Sequence, residues 1–91
     1  MNYEIVFDPT VTRTLSKWKK SNPVSFKKLG KILLDIAEHP RQGIGHPEPL
    51  IGGGNTIYSR RITARDRIIY EIYDEKVVVL IIEIEGHYND K

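Results

Sequence analysis

Glu48 stands between two prolines in the stretch Gly45-His46-Pro47-Glu48-Pro49-Leu50. Each proline fixes its own φ near about −65° and removes a backbone donor. Each also moves the residue before it away from helical geometry. The carboxylate is therefore carried on stiff, extended backbone. Arg61, Arg67 and His87 follow later in the chain. A carboxylate, an imidazole and two guanidinium groups over one concave surface suit metal-free cleavage of a phosphodiester in RNA. The ribose 2′-OH supplies the nucleophile, the carboxylate takes its proton, and the imidazolium protonates the departing 5′ oxygen. The guanidinium groups hold the phosphate and stabilise the added negative charge of the transition state. Residue type alone leaves this as one possibility among several, because any α+β domain puts some charges on an open sheet face.

Other chemistries find less support. His39, His46 and His87 lack ligand-type spacing, so no metal is expected. There is no G-x-S-x-G elbow. Gly52-Gly53-Gly54 neither follows a strand nor opens a helix, so it is not a dinucleotide fingerprint and no cofactor is expected. The chain has no cysteine, which excludes a disulfide framework and fits a reducing cytosol.

The elements that must position these residues can be read from turn signals and periodicity. Tyr3 to Phe7 is β-branched and aromatic and reads as a short strand. Asp8-Pro9 and Asn22-Pro23 each look like a helix start. Val11, Leu15 and Trp18 give the first helix one apolar stripe. Phe26, Leu29, Ile32, Leu33, Ile36 and Ala37 give the second a wider one, with Lys31 and Asp35 spaced to pair at i, i+4. Residues 40–55, with five glycines and three prolines, read as a loop. Three strands follow, 56–63, 67–74 and 77–88, joined by short turns as an antiparallel meander. The expected fold is α+β: an N-terminal strand, two helices and the three-strand meander, with the helices on one face of the sheet. Alternation along the last strand puts Val78, Leu80, Ile82 and Ile84 on one face and Glu83, Glu85 and His87 on the other. Arg61 and Arg67 join that polar face, whereas Arg60 belongs to the opposite one.

Ninety-one residues make a single domain, 1–91, with a modest core. The formal net charge is +2. Residues 1–45 carry +4 and residues 46–91 carry −2, so the first half is the one suited to an anionic partner. No secretory leader pattern or membrane-length apolar run is seen, and a cytoplasmic location is expected.

The blocks "GIGHPEPL", "YSRRIT", "DRIIYEI" and the terminal "GHY" together resemble the YoeB/Txe group of the RelE-type bacterial toxins. The resemblance runs from the second helix to Tyr88. It implies a RelE-like microbial RNase fold and the toxin of a type II toxin–antitoxin pair. It implies endonucleolytic cleavage of messenger RNA in the ribosomal A site. The implied partners are a YefM/Phd-type antitoxin, the ribosome and mRNA, operator DNA only through the antitoxin, and a homodimer partner. By position, the family's base falls on Glu48, its transition-state arginine on Arg67 and its acid on His87. Its phosphate-contacting residue falls on Arg61, and its terminal aromatic on Tyr88. Two positions depart from the pattern. Ile51 follows "PEPL" where lysine is frequent, and Glu85 precedes the histidine by two where a basic residue is frequent. Both lower the positive charge near the expected phosphate. A catalytically weakened homologue, acting as an antitoxin- or ribosome-binding module, is the alternative they motivate.

Overall fold

The computed structural model describes residues 2–86. Strand β1 (Glu4–Phe7) leads into helix α1 (Pro9–Ser21). Asp8 starts that helix as expected: its Oδ1 accepts from the Thr10 amide at 2.9 Å and the Thr10 hydroxyl at 2.7 Å, and Pro9 fills the first turn. Asn22 serves two helices. Its N–H donates to the Trp18 carbonyl at 2.8 Å and ends α1, and Pro23 begins α2 (Pro23–Glu38). Val11 and Trp18 of α1 and Leu29, Ile32 and Ile36 of α2 are buried against the sheet, and Leu15, Phe26 and Leu33 pack around them.

The sheet is larger than the meander. It has five strands in the order β1-β5-β4-β3-β2. Strands β3 (Ile57–Arg61), β4 (Arg67–Tyr73) and β5 (Val78–Glu85) form the expected antiparallel core. Two additions correct the expected architecture. β1 lies parallel to β5, with Glu4 opposite Val78 and Phe7 opposite Ile81, so the sheet is mixed. Parallel neighbours need a long crossover, and here the two helices and most of the sheet lie between the partners in sequence. Secondly, Glu48–Pro49 is not loop but a two-residue strand, β2, paired antiparallel to β3.

A third correction concerns which residues of β5 face the helices. The buried positions are Val79, Ile81 and Ile84, not the regular set Val78, Leu80, Ile82 and Ile84. Glu83 stands opposite Ile69 but Ile81 stands opposite Tyr70, so Ile82 is an extra residue in the ladder. Such a bulge re-aims every side chain on one side of it. It keeps Ile84 in the core while leaving Glu83 and Glu85 beside Ile69 and Arg67. The core face of β4 is Ile68, Tyr70 and Ile72, as alternation requires. Burying each such aliphatic side chain is worth about 1.5–3 kcal/mol. The other sheet face carries exposed and half-buried side chains, with Ser59 buried among them.

Candidate functional site

The face away from the helices carries a row of charges across three strands. Arg61 at the end of β3 is opposite Arg67 at the start of β4, and Arg67 is opposite Glu85 at the end of β5. Cross-strand partners project to the same side. Both arginines are exposed. Like charges set directly opposite weaken strand pairing. They also create a local field suited to an anion.

Glu48 joins this face through β2. It stands opposite Ser59, which shares a face with Arg61 two residues on. Ladder geometry puts Glu48 one strand, about 5 Å, across and about 7 Å along from Arg61. Glu48, Arg61 and Arg67 are thus brought to one side of the sheet. The remaining two expected residues, His87 and Tyr88, lie outside the described residues.

The backbone around Glu48 is tied to β3 on both sides. The Arg61 amide donates to the Gly45 carbonyl at 2.7 Å, and the Leu50 amide donates to the Ile57 carbonyl at 2.8 Å. With the Leu50 N–H pointing inward, alternation points residues 47 and 49 outward. Both are proline. They have no N–H to present, so the outer edge of β2 is a poor template for another strand. Gly45 has φ 80°, and a Cβ there would come within 2.7 Å of the Arg61 carbonyl, so only glycine fits. His46 follows with φ 53°, a left-handed conformation that costs energy for a residue with a side chain.

Arg60, placed on the opposite face by alternation and given no role, turns out to anchor this segment. It is fully buried. Its Nε donates to the Tyr70 hydroxyl at 2.9 Å. One terminal nitrogen donates to Asp35 Oδ2 at 2.5 Å and to the Ile44 carbonyl at 3.1 Å. The other donates to the carbonyls of His39 and Gln42, the latter at 2.6 Å. All five guanidinium donors are used. Tyr70 in turn donates to the Pro40 carbonyl at 2.7 Å. Asp35 also accepts from the Ile44 amide, so it faces Arg60 rather than pairing along α2 with Lys31 as its spacing allowed. Burial pushes the Asp35 carboxyl upward, but the Arg60 hydrogen bond, the Ile44 N–H and the Arg60 charge outweigh it and hold the group below its ordinary value. Burial raises the Tyr70 phenol. A signal for this role was present: an arginine between the inward-facing Tyr58 and Ile62 must find partners, and a loop rich in free carbonyls lies next in sequence.

A second clamp closes the base of the loop. Arg41 makes two bonds to Asp74, at 2.9 and 3.1 Å, and two to the Asn55 carbonyl, at 3.0 and 3.2 Å. The Tyr3 hydroxyl donates to the same carboxylate at 2.8 Å. The Arg41 and Tyr3 bonds hold Asp74 below the usual carboxylate range. Between the clamps the loop tip is exposed at Ile51, beside three glycines. Among the described residues no group of three or more His, Asp or Glu side chains is placed to hold a metal ion.

Residues 7–88 match the family described as the YoeB-like toxin of bacterial type II toxin–antitoxin systems. The chain belongs to this family. A YoeB toxin of Streptomyces coelicolor is 35% identical over 71 residues, covering 78% of this chain and 82% of its own length. Solved YoeB structures share the fold. A YoeB/ParE toxin from Agrobacterium tumefaciens superposes with a TM-score of 0.83 at 26% identity, covering 93% of this chain and 99% of that one. The Staphylococcus aureus YoeB toxin is similar in its complex with YefM (TM-score 0.79, 28% identity) and as a dimer (TM-score 0.81, 27% identity). Each of these covers 97% of this chain and 100% of that one. The YoeB family match extends through His87 and Tyr88, beyond the described residues.

Proposed function

We propose that the protein is a metal-independent endoribonuclease that cuts messenger RNA in the ribosomal A site, as the toxin of a type II pair. The observation that carries this reading is the register of Arg61 opposite Arg67 on the face that also presents Glu48. Glu48 accepts the 2′-OH proton. The 2′ oxygen attacks phosphorus while the P–O5′ bond breaks, and His87 gives its proton to the departing 5′ oxygen. Arg67 and Arg61 bind the phosphate and stabilise the pentavalent transition state. The products are a 2′,3′-cyclic phosphate and a 5′-hydroxyl end. Tyr88 stacks on a base or orders the chain end. Acid and base act in opposite protonation states, so activity is bell-shaped in pH.

A YefM/Phd-type antitoxin neutralises the protein, as the Staphylococcus aureus complex supports, and the dimer of that toxin supports self-association. DNA is contacted only through the antitoxin, and the toxin acts in the cytoplasm. No helix among the described residues is long and apolar enough to cross a membrane.

One observation favours a second reading. Glu85 is opposite Arg67, so a carboxylate flanks the arginine meant for phosphate. A binding module that engages antitoxin or ribosome without cutting is consistent with that pair. Induced expression followed by primer extension on ribosome-bound message decides between them. Cleavage gives new 5′ ends that disappear in Glu48→Ala and His87→Gln. If the parent leaves no new ends, or both variants cut as the parent does, the ribonuclease mechanism is wrong.

A further inference from the structure

A cleft of 420 Å³ opens round the edge of the sheet from the charged face, between α2, the segment before Glu48 and the end of β3. Lys28 and Lys31 line it from α2, His46 from the loop and Arg61 from β3, with Ile44 and Ile62 among the apolar residues between them. No carboxylate lines it. Asp35, four residues after Lys31, is committed to Arg60 and to the Ile44 amide. His46 is held at this cleft in a left-handed conformation, next to the Gly45 carbonyl that is bonded to β3. Arg61 belongs both to the cleft and to the row with Arg67.

We infer that this cleft is a second nucleotide subsite, taking the phosphodiester next to the one held by Arg61 and Arg67 on the same RNA strand. Nitrogen donors on three sides of an apolar floor match a nucleotide: phosphate oxygens meet Lys28, Lys31 and His46, and the adjoining base rests on Ile44 and Ile62. Continuity through Arg61 is what makes the occupant a stretch of the substrate strand. This inference rests on the ribonuclease reading, but its test does not use cleavage.

Binding is measured by fluorescence anisotropy with a labelled single-stranded 12-mer, fully 2′-O-methylated and so uncleavable, across a salt series. Lys28→Gln/Lys31→Gln should weaken binding by about tenfold and lower the slope of log K against log salt by about 0.7, the value of one phosphate contact on a single strand. Lys19→Gln/Lys20→Gln, which removes two exposed α1 lysines away from the cleft, should leave the slope unchanged. A methylated dinucleotide, too short to span both subsites, should bind the parent and the Lys28/Lys31 variant alike. An unchanged slope, an equal fall in the α1 variant, or an equal loss with the dinucleotide overturns the inference. A parent protein that cuts no message but shows the cleft-specific slope overturns the ribonuclease reading instead.

Discussion

Asp66 Oδ1 occupies the place where a side chain at residue 86 would begin: a Cβ on Gly86 would lie 1.9 Å from it. Asp66 is 2% exposed. Its other carboxylate oxygen accepts from the Thr63 hydroxyl at 2.7 Å, and that hydroxyl accepts from the amides of Arg65 and Asp66. The turn between β3 and β4 is thereby packed against the end of β5, next to Arg67 and one residue before His87.

Gly86→Ala is accordingly expected to destabilise the fold by about 1–3 kcal/mol through overpacking. Asp66→Ala/Gly86→Ala should cost less than the sum of its parts, with a coupling of about 0.5–3 kcal/mol. Urea unfolding of the four proteins measures the coupling. Strict additivity would mean the two positions do not meet.

Removing Asp35 leaves a fully buried guanidinium without its counter-ion. Asp35→Ala should cost about 3–5 kcal/mol. The pH dependence has a definite sign. The folded-state pKa is lowered, so this contribution is complete above the ordinary value of 3.8 and fades as pH falls through the lower folded value. Stability of the parent should therefore drop steeply below about pH 4. Asp35→Asn should show a shallower drop over that window in urea titrations at stepped pH.

The Arg41–Asp74 pair is of a different kind, since both side chains are partly exposed. Asp74→Asn should cost no more than about 1 kcal/mol, an amount that shrinks with salt. Its effect should appear locally, as faster amide exchange or proteolysis in residues 46–54, where the loop loses one of its two clamps. Equal protection in parent and variant would show that Arg60 alone holds the loop.

Glu85 opposite Arg67 gives a prediction of gain. Glu85→Gln removes a negative charge about 5 Å from the arginine proposed to bind phosphate and should tighten RNA binding about threefold or more at low salt. Arg67→Ala should reduce cleavage by about 10²–10³ while leaving antitoxin binding in place. Pull-down with the antitoxin and primer extension read the two effects separately.

Much of the fold was legible because its signals are local. Asp8-Pro9 and Asn22-Pro23 start helices through their own backbone geometry, and the stripe from Val11 to Trp18 needs only one element to be seen. The pairing of β1 with β5 is not local: it joins residues more than seventy positions apart, and no turn residue announces it. β2 was hidden by its own prolines, which read as loop although they stand where a strand edge needs no donors. The bulge at Ile82 carries no glycine to mark it, so unbroken alternation put Val78 and Leu80, ahead of it, on the face of Ile84 in place of Val79 and Ile81. Arg61 and Arg67 were placed on one face by alternation in β3 and β4, both ahead of the bulge in the chain, whereas Glu48 was singled out only by its flanking prolines and its place in the motif. Arg60 was passed over because its five partners come from three separate segments.

Arg60 and Arg61 are one peptide apart, one committed inward and one offered outward. A slip of β3 by a single position would exchange them. Each side of the strand would still carry a guanidinium, so the pair by itself does not penalise such a slip. The penalty comes from the neighbours: Tyr58 and Ile62, both buried, would be turned out to water. The doubled arginine therefore serves two unlike environments from adjacent positions, while the apolar residues that flank it decide which of the two faces outward.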